Sequence, residues 1–143
     1  MIVSDRLLVA LGEFLNGDLG LGLVPRLRDY SGTKGKKTLI LDAEEPVEHE
    51  GLDGVFEVEG EVCYRFRNRD EAEADQRADL GEIVEALRER AKAWLNDSGN
   101  ARGIGADGLT VFDFRNDDGV WEQEDKWLNG KIRFSAVVVG LDS

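Results

Sequence analysis

The sequence predicts an α+β domain: an antiparallel sheet of four to five strands covered by one long helix plus an N-terminal helix. Three observations support this prediction. Apolar and polar residues alternate over 55–67, an apolar stripe of helical spacing runs through 76–96, and alternating segments return after residue 108. A strand with one apolar face is typical of an antiparallel sheet, and a helix with one apolar stripe can cover that face.

Length and composition support a single domain spanning residues 1–143. At 41% hydrophobic residues the chain can form a core without metals or disulfides. It has one cysteine, Cys63, and one histidine, His49, which exclude a disulfide framework, a cysteine zinc site and any site that needs two histidines. No apolar run reaches the roughly 18 residues of a transmembrane helix, and the first residues lack a signal-peptide pattern. We therefore expect a cytoplasmic protein without a membrane segment.

The first predicted element is a helix near the N-terminus. Ser4 is a suitable N-cap, and Asn16 with Gly17 can end the helix because glycine readily takes the left-handed conformation. Between them the apolar residues fall on one helical face. They are Leu7, Leu8, Leu11, Phe14 and Leu15.

The next segment is predicted as mostly irregular. Residues 17–36 are rich in glycine and form a connection, with a short extended piece around 21–27. A short strand is expected over 38–41. The acidic segment 42–53, which contains Pro46, is expected to be a loop.

The strongest strand signal covers residues 55–67. Every even position from 56 to 66 is apolar or glycine, and the odd positions from 57 carry charged residues and Cys63. This alternation predicts one buried and one solvated face. Gly60, within the apolar row, predicts a bulge or a strong bend, and a hairpin turn at Gly60 is the alternative. Three glutamates share the solvated face: Glu57, Glu59 and Glu61.

A charged turn over 68–75 precedes the main predicted helix, 76–96, which ends before Ser98, Gly99 and Asn100. Its apolar residues recur at steps of three or four, the spacing of an amphipathic helix. They are Leu80, Ile83, Val84, Leu87, Ala91, Trp94 and Leu95.

The last third of the chain predicts three strands. The first covers 109–115, residues 116–119 (Asn-Asp-Asp-Gly) have the composition of a hairpin turn, and 120–124 begins the return strand. The last strand, 131–141, is apolar on one side throughout and on both sides near its end. This predicts a central strand or one covered by a partner. The second apolar side ends in Val137, Val139 and Leu141.

Motifs that resemble nucleotide or calcium sites lack their structural context. The GxGxxG at 103–108 follows a helix and leads into a strand, the reverse of a dinucleotide site. Residues 35–38 resemble the end of a P-loop, but Tyr30 stands where its first glycine is required. Residues 116–118 lack the ligand spacing of an EF-hand. The sequence therefore predicts no catalytic, metal or cofactor site.

Charge is concentrated in one part of the chain. The formal net charge is −12, and residues 44–61 hold eight acidic residues and no lysine or arginine. Specific nucleic-acid binding is disfavoured because phosphate contacts need clustered basic residues. The short basic run Lys34, Lys36, Lys37 is predicted as a loop. Glu57, Glu59 and Glu61 are predicted to form a solvated face, an acidic lumen or a partner face. An alternative interpretation, in which the protein is an enzyme, takes these glutamates and His49 as its acid–base groups.

The order of elements resembles that of one family. The features are the N-terminal helix, the long alternating strand, the segment 78–87 (ADLGEIVEAL) that opens the main helix, the strands around Trp121, and the closing hydrophobic strand. Together they are similar to the tail terminator and tail completion proteins of long-tailed phages and prophages. The similarity covers about residues 4–141 and is one of pattern.

This resemblance implies a structural protein of virion assembly. It implies a hexameric ring that caps the tail tube, stops its growth and joins tail to head, with tail-tube or head–tail connector proteins as partners. The location is then the host cytoplasm or the virion tail. The ring lumen would be acidic, so that DNA slides without binding. The candidate interface residues are Trp121, Trp127, Val137, Val139 and Leu141. The two tryptophans are equally well interpreted as residues at the edge of the core.

A second hypothesis places the protein in a different class. The net charge of −12 and the acidic block at 44–61 are also typical of a monomeric binding or inhibitor domain, such as an immunity protein that masks a basic surface. Such a protein associates rapidly with its partner in a salt-sensitive manner.

Overall fold

The computed structural model describes residues 3–18, 26–28, 37–48, 51, 54–67, 73–96, 110–124 and 127–139. These residues form two helices and seven strands. In chain order they are α1 (Val3–Asp18), β1 (Arg26–Leu27), β2 (Lys37–Ala43), β3 (Val47–Glu48), β4 (Val55–Arg67), α2 (Glu73–Asn96), β5 (Thr110–Asn116), β6 (Val120–Glu124) and β7 (Trp127–Val139).

All seven strands belong to one mixed sheet. The order is β1-β2-β4-β7-β5, with β3 also paired to β4 and β6 also paired to β7. The pairing of β1 with β2 is parallel, whereas the five other pairings are antiparallel. The predicted fold class is therefore wrong: the sheet is mixed rather than antiparallel and has seven strands rather than four to five. More of the described residues lie in strands than in helices.

The two additional strands are β1, which lies in the short extended piece predicted around 21–27, and β3. β2 extends to Ala43, and β3 lies within the segment 42–53 that was predicted as a loop. Both β2 and β3 pair with β4, so they follow one path along the same neighbour, interrupted at residues 44–46. The backbone N–H of Glu44 still donates to the carbonyl of Glu59 at 2.8 Å.

The predicted hairpin turn at 116–119 is also wrong, because this segment interrupts a strand path as residues 44–46 do. β5 and β6 do not pair with each other; both pair with β7, β5 through Asn116 opposite Phe134 and β6 through Val120 opposite Lys131. Residues 117–119 therefore interrupt one long strand path. Gly119 has a φ of +85°, which glycine adopts without strain. The return strand is β7, which begins at Trp127 rather than at residue 131.

Asp117 attaches this interruption to β7. Its backbone N–H donates to the carbonyl of Arg133 at 2.9 Å, and its Oδ1 accepts from the backbone N–H groups of Gly119 and Arg133, both at 3.0 Å. We expect Asp117→Ala to lower the free energy of unfolding by about 2 kcal/mol, because two backbone donors lose a charged acceptor. Asp117→Asn retains a side-chain oxygen and should cost less than half as much. Urea denaturation measures both, and equal losses would contradict this role.

The two halves of the chain share one order of elements. Apart from β1, each has a helix, then a seven-residue strand that is interrupted and resumed, then a 13-residue strand. The long strands β4 and β7 pair along their whole length at the centre of the sheet, with Glu61 opposite Arg133 near the middle. The sequence shows no internal repeat, so this similarity is one of topology.

The two helices cover one face of the sheet. Leucines of α1 and the Leu80–Leu87 stripe of α2 share a single core cluster with the even-numbered residues of β4 and β7. α1 begins at Val3, so Ser4 lies inside the helix and is buried rather than capping it. The predicted helix 76–96 lies within α2, and the strand predicted over 55–67 has the observed bounds of β4.

Gly60 causes neither a bulge nor a turn. The pairing of β4 with β7 is continuous through it, with Gly60 opposite Phe134, and the pairing of β4 with β2 ends at it, opposite Ala43. A Cβ at residue 60 would lie 2.5 Å from the Phe134 ring and 2.4 Å from the carbonyl oxygen of Asp42. The glycine therefore makes room for the ring of Phe134, which is stacked on Phe114 with the two ring centroids 5.4 Å apart.

Candidate functional site

The candidate site lies on the face of the sheet opposite the two helices, here called the outer face. It carries the odd-numbered residues of β4 and β7, because side chains alternate between the faces along a strand. The predicted acidic residues Glu57, Glu59 and Glu61 are therefore together on this face. The first two are exposed, and Glu61 is partly buried.

The register determines what lies beside each glutamate. Glu57 is directly opposite Val137, Glu59 is opposite Ser135, and Glu61 has Arg133 on one side and Asp42 on the other. Directly opposite residues are close enough to interact across strands. The row of Glu57, Glu59 and Glu61, here called the acidic row, thus begins beside the apolar Val137 and ends beside Arg133. The sequence alone did not indicate these neighbours.

An open groove of about 670 Å³ crosses the middle of this face. It lies between the two strand interruptions, because the residues at which each one begins, 42–44 and 115–117, contribute to its walls. Acidic residues outnumber basic ones in the lining. The charged lining residues are Asp42, Glu44, Glu59, Glu61, Asp117, Arg115 and Arg133.

An apolar patch lies at one end of the outer face, where β4 begins and β7 ends. Val55 is directly opposite Val139, and Val47 and Val137 flank Glu57 from the two neighbouring strands. Val47 is 64% exposed, and the other three are partly buried. Phe112, the extra residue where the register of β5 shifts, is 61% exposed at the same end of the sheet. Leu141, also predicted for this interface, lies outside the described residues.

The two predicted tryptophans occupy different environments. Trp121 packs against the helix-covered core, where its ring meets that of Phe66 edge to face at 5.7 Å. Trp127 is on the outer face, partly buried, with the guanidinium of Arg65 4.6 Å from its ring centroid. Such cation–π contacts stabilise by about 0.5–1 kcal/mol when partly exposed. Trp127 is thus the tryptophan whose placement suits an interface.

Part of the outer face is buried, which the alternating pattern did not predict. Cys63 was expected among solvated residues, yet its exposed fraction is 0%, and Ile40, directly opposite it, is 1% exposed. The Cys63 Sγ donates to the Asn129 Oδ1 at 3.7 Å. Burial, followed by the charge of Glu61, raises the pKa of the Cys63 thiol to about 12. The thiol is therefore held neutral and is unsuited to nucleophilic chemistry at neutral pH.

A second buried polar group lies between the sheet and α2. The Tyr64 hydroxyl donates to the Asp79 Oδ2 at 2.8 Å. Burial and this hydrogen bond to a carboxylate raise the pKa of Tyr64. The hydrogen bond connects β4 to the first turns of the main helix, which is a structural role.

The described residues include no group of three or more histidine, cysteine, aspartate or glutamate side chains placed to hold a metal ion. Within the same residues no helix is both long and apolar enough to cross a membrane. His49, the histidine of the alternative enzymatic interpretation, lies outside them. The absence of an enzymatic activity and of a cofactor stays a prediction.

Comparison with known proteins adds no family. No protein-family model matches the chain, and no curated protein matches it. The function must therefore be argued from the outer face itself.

Proposed function

We propose that this chain is a structural subunit that assembles into a ring, of the kind formed by phage tail terminator and completion proteins. The observation that carries the proposal is the apolar patch of Val47, Val55, Val137 and Val139 on the outer face. Exposed apolar residues that are contiguous across neighbouring strands are typical of surfaces that other molecules cover. The proposed partners, besides further copies of the chain, are tail-tube or head–tail connector proteins.

The position of the acidic row favours one of its three predicted roles. Glu57 lies directly opposite Val137 and beside Val47, so a neighbour that covers these valines also meets Glu57. A residue in such a contact cannot line an open lumen. We therefore assign Glu57, and with it its neighbour Glu59 on the same face, to a partner face, whereas Glu61, further from the patch and opposite Arg133, can face a lumen.

The test is the mass of the protein in solution. We expect light scattering at protein concentrations from about 1 µM to about 500 µM to show growth toward a ring-sized species, since weak interfaces saturate in this range. Val137→Asp and Val47→Asp should each abolish the growth, because a carboxylate would be buried beside Glu57 without a partner. Val47 is 64% exposed, so its replacement leaves folding intact. Ala78→Asp, on the exposed side of α2, adds the same charge elsewhere and should have no effect.

A second function is favoured by the groove. Five carboxylates and two guanidinium groups line it, which suits a basic protein segment and therefore an acidic inhibitor or binding domain. A protein that remains strictly monomeric at every concentration, both at low and at high salt, would contradict the ring and favour this alternative.

A further inference from the structure

The sheet is electrically polarised along its strands. One end, here the acidic end, consists of β3, residues 55–59, 110–113 and 135–139. It holds four acidic residues and no basic one. They are Glu48, Glu57, Glu59 and Asp113, of which Asp113 already pairs at 3.1 Å with Arg115, just beyond this end.

The opposite end, here the basic end, consists of residues 37–40 and 63–67, β6, and residues 127–131. By sequence and strand register it contains four basic residues against two acidic ones, Glu122 and Glu124, and the structure describes the side chains of Arg65, Lys131 and Glu122 among them. The basic residues are Lys37, Arg65, Arg67 and Lys131. One of them, Lys131, already pairs with Glu122 at 2.9 Å.

Both ends also carry apolar or aromatic anchors. The acidic end has the valine patch and Phe112, and the basic end has Trp127 under Arg65, with Val120 50% exposed in β6. Tryptophan and arginine are the residue types that contribute most to binding energy at interfaces. The two ends are therefore opposite in charge, and both provide apolar or aromatic contact surface.

We propose that copies of this chain associate head to tail, with the acidic end of one subunit docked on the basic end of the next. The proposal rests on the proposed ring, for which it names the contact. A twofold-symmetric contact centred on one end would place acidic end against acidic end, and like charges there would repel. An antiparallel twofold pair would join unlike ends, but it would stop at a dimer and could not close a ring. A contact between unlike ends is heterologous, and heterologous contacts close into rings when the rotation permits.

The net charge of −12 does not prevent this contact. β4 spans 13 residues, or roughly 43 Å, and the nearest charged residues of its two ends, Glu59 and Arg65, are roughly 20 Å apart along it. Charges in solution are screened over about 8 Å at physiological salt. When two subunits dock, the opposite charges at the contact are therefore within this screening length. The like charges elsewhere on the two subunits are farther apart, so their repulsion is largely screened.

Charge reversal at each end tests the proposal by light scattering. The variant E57K/E59K has two basic ends, and the variant R65E/R67E has two acidic ends, so neither should assemble at any concentration up to about 500 µM. An equimolar mixture should assemble, since every junction between the two variants joins unlike ends. The quadruple variant E57K/E59K/R65E/R67E, which keeps the net charge of −12, should assemble alone with the polarity of its contact reversed.

A matched control separates this contact from the effect of total charge. E57K/E59K lowers the magnitude of the net charge from −12 to −8, so general repulsion predicts stronger association, whereas the proposal predicts its loss. E13K/E82K makes the same change at exposed positions of α1 and α2 and should assemble at least as well as the parent chain. Circular dichroism and urea denaturation verify that each variant is folded. The variant E57Q/E59Q is a milder change, which removes the two negative charges without reversing them, and it should weaken assembly about tenfold or more.

The outcomes separate this inference from the proposed function. If the parent chain assembles and both charge-reversal variants assemble as well, head-to-tail docking is overturned but the proposed ring is not. A mixture that fails to assemble although the parent chain does so would also overturn it. A parent chain that stays monomeric throughout would overturn both, and binding of a basic protein to the acidic end would then replace the second copy as its occupant.

Discussion

Gly60→Ala is expected to lower the free energy of unfolding by about 3 kcal/mol or more. The new Cβ would lie 2.4 Å from the backbone oxygen of Asp42 and 2.5 Å from the ring of Phe134. The backbone of β2 cannot move without breaking its pairing with β4, and the Phe134 ring is stacked on Phe114. Total stabilities of single domains are about 5–15 kcal/mol, so this one methyl group should remove a large part. Urea denaturation at constant pH measures the loss.

Gly81→Ala provides the matched control. Gly81 lies within α2, is exposed, and has open space where a Cβ would be placed. Alanine favours a helix over glycine, so this variant should gain about 0.5–1 kcal/mol. If Gly60→Ala were neutral or stabilising, as at an ordinary strand position, the packing of Phe134 over Gly60 would be contradicted.

The free energy of unfolding is expected to fall steeply between pH 9 and pH 12 because of Cys63. In the unfolded chain the thiol ionises near its ordinary value of 9.0, whereas burial raises its pKa to about 12 in the folded protein. The folded state therefore keeps a proton that the unfolded state has lost, and stability decreases as pH rises through this window. The slope is about 1.4 kcal/mol per pH unit, or on the order of 4 kcal/mol over the whole window.

Cys63→Ala isolates this contribution. Its stability at pH 7 should be somewhat lower than that of the parent chain, because a small cavity replaces the sulfur. Between pH 9 and pH 10 its curve should be flatter, since the titrating thiol is gone. Above pH 10 both proteins should lose further stability, because burial and Asp79 also raise the pKa of Tyr64. Parallel curves for the two proteins between pH 9 and pH 10 would show that Cys63 ionises equally in both states.

The elements that could be predicted from the sequence are those whose signal is local. The alternation over 55–67 predicted β4 with its observed bounds, since a period of two is a property of the strand alone. The helical spacing of Leu80, Ile83 and Leu87 likewise predicted the buried stripe of α2. In both, the pattern lies within one continuous segment and does not depend on which neighbour the segment meets.

The strand interruptions could not be predicted in this way. Residues 116–119 have the composition of a hairpin turn, and the same residues are suited to an interruption with a positive φ at Gly119. Only the pairing of both β5 and β6 with β7 distinguishes the two. The burial of Cys63 is a similar case, because alternation assigns it to a face without determining what covers that face.

The candidate site was predicted as two separate sets, an acidic row and an apolar strand end. The sequence by itself determined that Glu57, Glu59 and Glu61 share one face and that Val137 and Val139 share another strand's face, because both sets follow from alternation. Only the tertiary structure decided that these faces are the same and that Val137 lies directly opposite Glu57. The physical reason is that register between strands distant in the chain is set by packing of the whole core, in which β4 and β7 align along 13 residues under the two helices.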